Sequence, residues 1–488
     1  MHTDVARGAI RHATRWILAA ALAFPSGRVF AADWNSGTGG NPARNSLSDE
    51  VGPRAAHILW QGGVSAVIAQ PAVIEGDVVA MARITNLQDT LNGTVIVAQN
   101  LNSGAQLWPP VQLPISFPDA WRNRVSAIRD GHIYATRAGN TNYEYLYALD
   151  VANGGIVWQS QALINESSTE SLSFAASGDI ITGNFTSLLR INKDNGNTMW
   201  STPRSCPTSG GCEAAVYGER VYIWEASPTG PKISVFNINS GAYLFSGAAI
   251  GGGFVQQVAP FVGPDGTVYA PRTQNNAATD FLVAYTDAGT SLMQKWSVPL
   301  GYVPFASFGV GPDGSVYSYA TTMSTITLQR RNPDNGAIVN MSAALATNFP
   351  SQPRIAIDAF GRVFFTNGGF SQGRLFSFNP DLTQRWSVAV ANVNIGGPAL
   401  GQDGTLVVCG VGTDVRAYRT LFGDFDLDNG VALDDYAQFA GCMFGPNVIP
   451  APNPPLTPAA CLDTFDAEND VDVDLLDFAE FQTDFTGP

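Results

Sequence analysis

Short apolar segments recur between Gly-rich and Asp-rich turns over most of this chain. One unit is repeated: an apolar strand, a tight turn, a second strand, a turn with Asp or Asn beside Gly, and often a Trp. The pattern is clearest at Leu146–Trp158 and returns at Val95–Trp108. No segment before the C-terminal region has the convincing 3.6-residue period of an amphipathic helix. The pattern therefore predicts an all-β region built from repeated sheets.

Eight hairpins can be counted along this region. They are predicted at Ala72–Ala82, Val125–Arg137, Leu172–Asn184, Ala214–Trp224, Val258–Ala270, Ser307–Tyr319, Arg354–Thr366 and Pro398–Cys409. The eighth is followed by only one further strand, Asp414–Arg419, whereas an extra strand, Ala55–Gln61, lies before the first. At about 46 residues per unit, residues 54–420 have the repeat length of a four-stranded propeller blade. We therefore predict an eight-bladed β-propeller whose last blade is closed by strand 55–61, with the Trp side chains packed between blades.

Residues 1–32 have the order of segments that is typical of a secretory signal peptide. Three Arg residues precede the apolar run Trp16–Phe24, and Ala31–Ala32 supply small residues for cleavage. The apolar run is too short to span a bilayer. We therefore expect a mature chain that starts with an N-terminal segment at 33–53, has no transmembrane segment, and is secreted to the extracellular space, the cell surface or the periplasm.

Cysteine usage agrees with an oxidising compartment. Cys442 and Cys461 flank a long Pro-rich segment, which predicts a disulfide that closes it, and Cys206 and Cys212 can close a small loop. Cys409 lies in a strand-like apolar run and is interpreted as a buried apolar residue.

Negative charge is concentrated at the C-terminal end. The formal net charge is -15, and residues 421–488 hold 14 Asp and Glu but no Lys or Arg. The rest of the chain is balanced, with 27 acidic against 26 basic residues. Two carboxylates about 5 Å apart repel by about 3 kcal/mol at an effective dielectric of roughly 20, a repulsion that a bound divalent cation removes. The alternative is a solvated, disordered acidic tail, which blocks of like charge often form.

These acidic residues fall into two sets with the spacing of a calcium loop. An apolar helical pattern follows each set, at Asp435–Phe439 and Asp477–Phe481, which favours two Ca²⁺ sites over a disordered tail. The predicted metal ligands are Asp424, Asp426, Asp428, Gly430 and Asp435 in the first loop and Asp466, Glu468, Asp470, Asp472, Asp474 and Asp477 in the second.

The second loop departs further from the calcium pattern than the first. Position 6, where the sharp turn wants Gly, is Asn429 in the first loop and Val471 in the second. Asn tolerates positive φ, whereas a β-branched residue does not. We therefore expect the second site to bind calcium more weakly.

The duplicated pattern over residues 423–487 resembles the type I dockerin module, a pair of calcium loop and helix units. The resemblance implies a small α-helical calcium module at 421–488 that docks to a protein partner. Positions 10 and 11 are Leu433–Asp434 and Leu475–Leu476, whereas cellulosomal dockerins carry small hydroxyl residues there. A cohesin partner is therefore not carried over.

The repeat unit, together with Trp34–Arg44, resembles the pyrroloquinoline-quinone-like propeller superfamily over residues 33–420. That superfamily includes quinone-dependent alcohol dehydrogenases and also cofactor-free members such as the outer-membrane assembly lipoprotein, and the fold does not choose between them. The dehydrogenases carry adjacent cysteines that stack on the quinone. No Cys-Cys pair occurs in this sequence, so we do not expect a quinone cofactor.

Composition narrows the function further. A pI near 4.6 and the lack of a basic stripe argue against nucleic acid as a partner. The leading hypothesis is a secreted, non-enzymatic calcium-binding interaction protein, with the propeller as recognition platform and the C-terminal module for partner docking or C-terminal stabilisation. One alternative is a polysaccharide-degrading hydrolase, which needs paired carboxylates, and a second is a quinone-dependent oxidoreductase. The scattered acids that could supply such a pair are Glu144, Glu166, Glu170, Glu213, Glu219 and Glu225, all interpreted as solvated loop residues.

Overall fold

Eight antiparallel sheets follow one another along the chain in the computed structural model. The structure describes residues 33–62, 72–86, 88–89, 91–139, 142–165, 172–206, 214–250, 258–272, 281–300, 307–322, 324–347, 352–368, 373–390, 396–410, 415–428 and 430–487. The predicted signal peptide at 1–32 lies outside these residues. Each sheet consists of consecutive strands, except that the last takes one strand from the N-terminal end. The prediction of an eight-bladed β-propeller is therefore confirmed.

Strand β1 precedes the first sheet, and β2 to β16 form the first four blades. They are β1 (Ile58–Gly62); β2 (Val73–Glu75), β3 (Val78–Ile84) and β4 (Thr94–Asn100) in blade 1; β5 (Arg124–Arg129), β6 (His132–Thr136), β7 (Glu144–Asp150) and β8 (Ile156–Ile164) in blade 2; β9 (Ser173–Phe174), β10 (Ile180–Gly183), β11 (Ser187–Ile191) and β12 (Thr198–Pro203) in blade 3; and β13 (Ala215–Tyr217), β14 (Arg220–Glu225), β15 (Lys232–Asn237) and β16 (Tyr243–Ser246) in blade 4.

The remaining strands form blades 5 to 8. They are β17 (Phe261–Val262), β18 (Val268–Arg272), β19 (Phe281–Asp287) and β20 (Leu292–Pro299) in blade 5; β21 (Gly309–Val310), β22 (Val316–Thr321), β23 (Thr325–Arg331), β24 (Ile338–Met341) and β25 (Leu345–Ala346) in blade 6; β26 (Arg354–Ile357), β27 (Val363–Thr366), β28 (Arg374–Phe378) and β29 (Gln384–Ala389) in blade 7; and β30 (Ala399–Leu400), β31 (Leu406–Cys409) and β32 (Val415–Tyr418), with a 3₁₀ turn at Gln402–Gly404, in blade 8.

Blade 8 closes the ring by pairing the two ends of the propeller. Strand β1 lies antiparallel to β32, with Ile58 opposite Tyr418 and Gly62 opposite Val415. The closing strand was predicted at 55–61 and is observed at 58–62. This ladder joins the first strand of the propeller to the last and therefore closes the ring of blades.

Blade 1 departs from the predicted four strands. Its sheet has three, and the outer segment makes only isolated bridges, Gln99 with Gln106 and Ile96 with Val111. The residues between the two bridges include Pro109–Pro110, which have no N–H to donate to a ladder. A continuous fourth strand therefore does not form.

The Trp side chains of the outer strands pack against the next blade, as predicted. Trp158 Nε1 donates to the Lys193 carbonyl oxygen at 2.8 Å. Gly196, at φ +72, lies so close that a Cβ atom there would be 2.7 Å from the Trp158 ring, so only glycine meets both conditions. Equivalent bonds to the next blade are made by Trp60, Trp108, Trp200 and Trp296.

Residues 34–52 cross the innermost strands of the ring, a path that the sequence pattern did not predict. Backbone carbonyls of this segment accept N–H groups of Ile74, Ile128, Val216, Val262, Val310 and Ile357, which lie in blades 1, 2, 4, 5, 6 and 7. Ser36 Oγ donates to the Leu172 carbonyl oxygen of blade 3 at 2.5 Å. The backbone N–H of Gly404, in blade 8, donates a hydrogen bond to the Glu50 carboxylate. One stretch of chain therefore contacts all eight blades.

Three helices follow the propeller. They are α1 (Leu433–Cys442), α2 (Pro458–Phe465) and α3 (Leu475–Asp484). The helical patterns predicted α1 and α3, but not α2, which begins inside the Pro-rich segment with Pro458 at its first turn and Thr457 Oγ1 accepting the Ala460 N–H. Cys442 and Cys461 form the predicted disulfide and join α1 to α2.

The helices share a small apolar core. It consists of Val431, Phe439, Cys442, Cys461, Phe465, Val473 and Phe481. Among the described residues, no helix has the length and apolar character needed to cross a bilayer.

Candidate metal centre

Two acidic loops hold the predicted ligands. The first acidic loop, residues 424–435, follows the propeller and runs into α1, and the second acidic loop, residues 466–477, joins α2 to α3. Asn429, at position 6 of the first loop, lies outside the described residues. Each loop ends in the first turn of a helix, so its position 12 carboxylate is held on a rigid element.

The position 12 carboxylates bind the same backbone groups in both loops. Asp435 accepts the N–H groups of positions 2 and 9 with its two oxygens, at 2.6 and 2.9 Å. Asp477 accepts those of the same two positions at 2.7 and 2.6 Å. Both side chains are buried. Charge-assisted bonds of this kind fold each loop around its position 12 residue.

The position 1 carboxylates are also buried and point into the loop. Asp424 Oδ1 accepts the N–H groups of Leu427 and Asp428 at 2.7 and 3.2 Å. Asp466 accepts those of Asp470 and Val471 at 3.0 and 2.9 Å. The bond from position 1 to the N–H of position 5 is therefore common to both loops, whereas the second bond involves position 4 in the first loop and position 6 in the second.

The structure brings eight of the eleven predicted ligands into close groups. In the first loop, Asp424, Asp426 and Asp428 each place one oxygen within 4.8 Å of the others; in the second, one group is Asp466, Glu468 and Asp477 and another is Asp472, Asp474 and Asp477. These groups do not include Asp435 or Asp470, and Gly430 has only its backbone carbonyl to offer. Carboxylate and carbonyl oxygens are the ligands that Ca²⁺ takes.

Both loops use left-handed backbone at equivalent positions. Position 4 has φ +67 at Leu427 and +58 at Asn469, and position 6 has φ +74 at Val471. A non-Gly residue in this region costs about 1–2 kcal/mol, and the cost is highest for a β-branched side chain. The expected conflict at Val471 is therefore present in the backbone of the second loop.

Carboxylate crowding perturbs the second loop most. A hydrogen bond with Asp477 raises the pKa of Glu468 to about 7, and burial and the Asp477 charge act in the same direction. Burial, followed by the charges of Asp477 and Asp470, raises the pKa of Asp466. Crowded carboxylates favour either a shared proton or a cation, and a divalent cation could take the place of such a proton.

Each loop is tied to the end of the helix from the other unit. The Val431 carbonyl oxygen of the first loop accepts the Thr486 N–H at 2.9 Å. The Val473 carbonyl oxygen of the second loop accepts the N–H groups of Phe444 and Gly445 at 3.1 and 3.2 Å. The two halves are therefore interlocked, and neither loop is held by its own unit alone.

The helical region packs on blades 7 and 8 through arginines that the sequence analysis did not single out. Asp463 of α2 pairs with Arg385, and its Oδ1 lies 3.6 Å from Arg362 Nη1. Arg54 donates to the backbone carbonyl oxygen of Asp424. No periodic signal marks these arginines, because each is a single residue far along the chain from its partner. We refer to Arg54, Arg362 and Arg385 together as the arginine pocket.

A cleft of about 1360 Å³ lies between this region and the propeller. Its walls include Asp403 and Arg419 from the propeller and Asp466, Glu468 and Leu476 from the helical region. The second acidic loop therefore opens onto the cleft.

Apolar side chains at position 10 are exposed in both loops. Leu433 is 60% exposed and Leu475 is 71% exposed, and Leu476 at position 11 is 64% exposed. Contiguous exposed apolar surface marks interaction sites, and Leu475 and Leu476 are adjacent exposed residues of this kind.

The propeller residues considered for other chemistry have structural partners. The interpretation as solvated loop residues is wrong for Glu144 and Glu225, which lie in strands. Glu144 is buried and accepts the N–H groups of Ser116 and Phe117, and Glu225 is half-buried and lies 3.8 Å from Arg204. Glu219 is at a turn and accepts a hydrogen bond from Asn239 Nδ2 at 3.4 Å. Glu166, Glu170 and Glu213 lie outside the described residues.

The remaining cysteines follow the same pattern. Cys409 is buried with its Sγ 4.0 Å from Met81 Sδ, and burial raises the pKa of its thiol to about 12, as expected of an inert apolar residue. Cys212 lies outside the described residues, so pairing with Cys206 stays a prediction.

Comparisons with known proteins bear on the propeller. The quinohemoprotein alcohol dehydrogenase from Comamonas testosteroni has a TM-score of 0.54 at 12% identity, covering 79% of this chain and 80% of that one. The Dos1 propeller has a TM-score of 0.50 at 10% identity, covering 75% and 96%. BamB from Moraxella catarrhalis has a TM-score of 0.48 at 13% identity, covering 74% and 98%. At these identities the likeness to the first two structures shows the fold alone. No curated protein matches the chain in sequence.

A family model, described as outer membrane protein assembly factor BamB, matches residues 91–340. The match starts in blade 1, ends in blade 6, and spans slightly more than half of the 488 residues. By its repeats and its ring of blades, this chain belongs to that family of PQQ-type propeller proteins.

Proposed function

We propose that this protein is a secreted calcium-binding interaction protein, in which the propeller is the recognition platform and the helical region is a calcium module that docks a protein partner. The family to which the chain belongs is described as an assembly factor, which supports a role in holding proteins together. The signal-peptide pattern and the Cys442–Cys461 disulfide support export.

One observation carries the calcium assignment: in both acidic loops the position 12 carboxylate accepts the N–H groups of positions 2 and 9, and the position 1 carboxylate accepts the N–H of position 5. A disordered tail has no reason to repeat them. Asp424, Asp426, Asp428 and the Gly430 carbonyl would hold the first ion together with Asp435. Asp466, Glu468, Asp470, Asp472, Asp474 and Asp477 would supply the second. Bound Ca²⁺ would neutralise crowded carboxylates and stiffen the loops.

The exposed leucines support a protein partner rather than a purely stabilising role. Leu433 and Leu475 occupy the same position in the two loops and leave apolar surface in water. Burying such surface contributes about 25 cal/mol per Å². A protein partner with an apolar face would therefore gain affinity at this surface, and calcium would hold the two loops in the arrangement that presents it.

The two enzyme alternatives have less support. A glycosidase needs two carboxylates on either side of a sugar, but the described Glu144 and Glu225 already have partners in the segments that precede their blades, Glu144 at Ser116 and Phe117 and Glu225 at Arg204. A quinone-dependent oxidoreductase is favoured by the fold alone. The described cysteines do not fit it, because Cys409 is buried between blades 8 and 1 against Met81.

Calorimetric titration of the full chain with CaCl₂ tests the calcium assignment. Asp426→Asn keeps the Oδ1 acceptor for the Asp428 N–H but removes a charge from the first group. Removing a ligand charge should weaken the first site by about 10- to 100-fold, the range seen for residues that support metal ligands. The second site should keep its affinity.

Asp434→Asn is the matched control. Asp434 is an exposed carboxylate in the same loop, and its Oδ1 accepts the Asp435 N–H, which Asn preserves. Equal losses in the two variants would mean that only general negative charge attracts the ion. A wild-type chain that takes up no calcium would refute the proposal.

A further inference from the structure

The first acidic loop is joined to both strands that close the propeller ring. It begins a few residues after β32, and Arg54, a few residues before β1, contacts it. The Arg54 N–H donates to Thr420 Oγ1 at 2.9 Å, and its guanidinium donates to the Asp424 backbone carbonyl oxygen. The chain on either side of the β1–β32 ladder is therefore tied to position 1 of the first loop.

A second contact holds the same region on blade 7. Arg385 pairs with Asp463, and its side chain is only 8% exposed. Arg362 lies 3.6 Å from the same Asp463 oxygen and is fixed by Asp358 at 2.6 Å and by the Gly52 carbonyl oxygen at 3.0 Å. Asp463 is three residues before Asp466, the position 1 carboxylate of the second loop.

Burial makes these arginines depend on the helical region. Burial lowers the pKa of Arg385, and the neighbouring Arg362 charge lowers it further, while Asp463 opposes both. The Arg54 guanidinium also lies against the helical region, where it donates to the Asp424 backbone carbonyl oxygen. Desolvated cations need a counter-charge in a fixed position. Any change that orders the acidic loops therefore also changes how firmly the counter-charges of the arginine pocket are held in position.

We propose that calcium binding to the acidic loops locks the closure of the propeller ring, through Arg54 on the first loop and the Asp463 contacts on α2. This inference rests on the proposed calcium function. Calcium fixes the Asp424 carbonyl and the end of α2 in one geometry, and the arginine pocket transmits that order to β1 and β32. By linkage, an intact closure favours calcium binding to the same extent.

Electrostatics alone predicts a different result. Arg54 is a cation near the first loop, so removing it should strengthen calcium binding if only charge matters. If the arginine instead transmits order to the ring, its removal abolishes the calcium effect on β1 and β32 even though calcium still binds. Calcium affinity and amide exchange in β1 and β32, measured together, therefore distinguish a purely electrostatic effect of Arg54 from a transmitted one.

Hydrogen exchange of the full chain, in CaCl₂ and in EGTA, tests the lock. In the wild type, calcium should slow amide exchange in β1 and β32 by about tenfold, within the usual range of coupling between sites. Exchange in β14, on blade 4, should not change. Arg54→Ala and Asp463→Asn should lose the effect on β1 and β32, while calorimetry still records calcium uptake by both variants.

Arg374→Gln is the control for loss of an arginine on blade 7, because Arg374 donates to Ser387 Oγ within its own sheet. It should keep the calcium effect. Wild-type chain that takes up calcium with no change in β1 or β32 overturns the lock but leaves the calcium proposal standing. The lock is also overturned, and the calcium proposal left standing, if calcium still slows exchange in β1 and β32 to the wild-type extent in both Arg54→Ala and Asp463→Asn. Wild-type chain that takes up no calcium overturns both.

Discussion

The propeller and the helical region bury very different side chains. The blade interfaces of the propeller are filled by apolar residues, and five of them carry a Trp-to-carbonyl bond between described residues. Buried charges of the propeller include opposite pairs such as Arg190 with Asp179. The apolar core of the helical region consists of seven buried residues, and the described part of this region also buries Asp424, Asp435, Asp466, Asp472 and Asp477. The propeller is therefore stabilised by apolar burial repeated eight times, whereas the helical region depends on a disulfide, crossed backbone bonds and counter-charge.

This difference agrees with what chain length permits. A small unit cannot bury enough apolar surface to fold on that term alone, and disulfides or metal ions commonly make up the deficit. Changes to apolar packing should therefore affect the propeller most, and changes to cross-links and loop backbone should affect the helical region most.

The largest effect is expected from Trp158→Ala. The Trp158 ring is 8% exposed, lies 5.9 Å from Tyr134, and donates to the Lys193 carbonyl oxygen. Removal of a buried Trp costs about 3–5 kcal/mol, so the denaturation midpoint of the propeller should fall sharply, by the same amount with and without calcium. Trp121→Ala is the control, because that side chain is 37% exposed and its loss should cost clearly less than the loss of Trp158. Similar losses in the two variants would contradict the packing role.

A smaller and local effect is expected from Cys442→Ser with Cys461→Ser. The disulfide closes a loop with a sequence separation of 19, for which chain entropy predicts about 3 kcal/mol of stabilisation. Thermal unfolding in EGTA should show an earlier transition of the helical region, and hydrogen exchange in α1 and α2 should rise, while β14 stays unchanged. Calcium should restore part of the loss, since an ion that binds only the folded loops stabilises them. An unchanged first transition would show that the crossed backbone bonds suffice.

The smallest effect is expected from Val471→Gly. Val471 adopts φ +74 and its side chain is 49% exposed, so the substitution relieves backbone strain and loses little packing. The strain is worth about 1–2 kcal/mol, partly offset by the greater freedom of glycine in the unfolded chain. Calorimetry should show calcium affinity of the second site rising by a few fold. Val471→Ala keeps a Cβ atom at positive φ and should show no gain; an equal gain would mean that side-chain bulk, not φ, limits the site.

The propeller could be predicted well because each feature is repeated. Eight hairpins reinforce one another, so an error in one of them does not change the count, and the leftover strand at 55–61 had a place only in the last blade. The exception is blade 1, where Pro109–Pro110 interrupt a strand that the repeat pattern implied. Local chemistry there outweighs the pattern.

Contacts that occur only once in the molecule, outside the repeat, could not be predicted from the sequence. The pairing of Arg385 with Asp463 joins residues 78 apart in sequence, and Arg54 reaches Asp424 across 370 residues. Neither pair has a period, a motif or a neighbouring copy to mark it. The short join at Thr420–Gly423 did suggest that the helical region packs on the propeller, and the arginine pocket supplies the contacts. In the acidic loops, the spacing fixed the candidate ligands, but not the bonds from Val431 and Val473 to the other unit.

The path of residues 34–52 bears on how the polypeptide matures. This stretch precedes every strand of the ring in sequence, yet its hydrogen-bonding partners include groups more than 300 residues further along the chain, and such distant pairings form slowly. Each blade supplies part of its bonding partners, so its last bonds require blade 8. Completion of the toroid and full anchoring of its N-terminal segment are therefore one late event in folding.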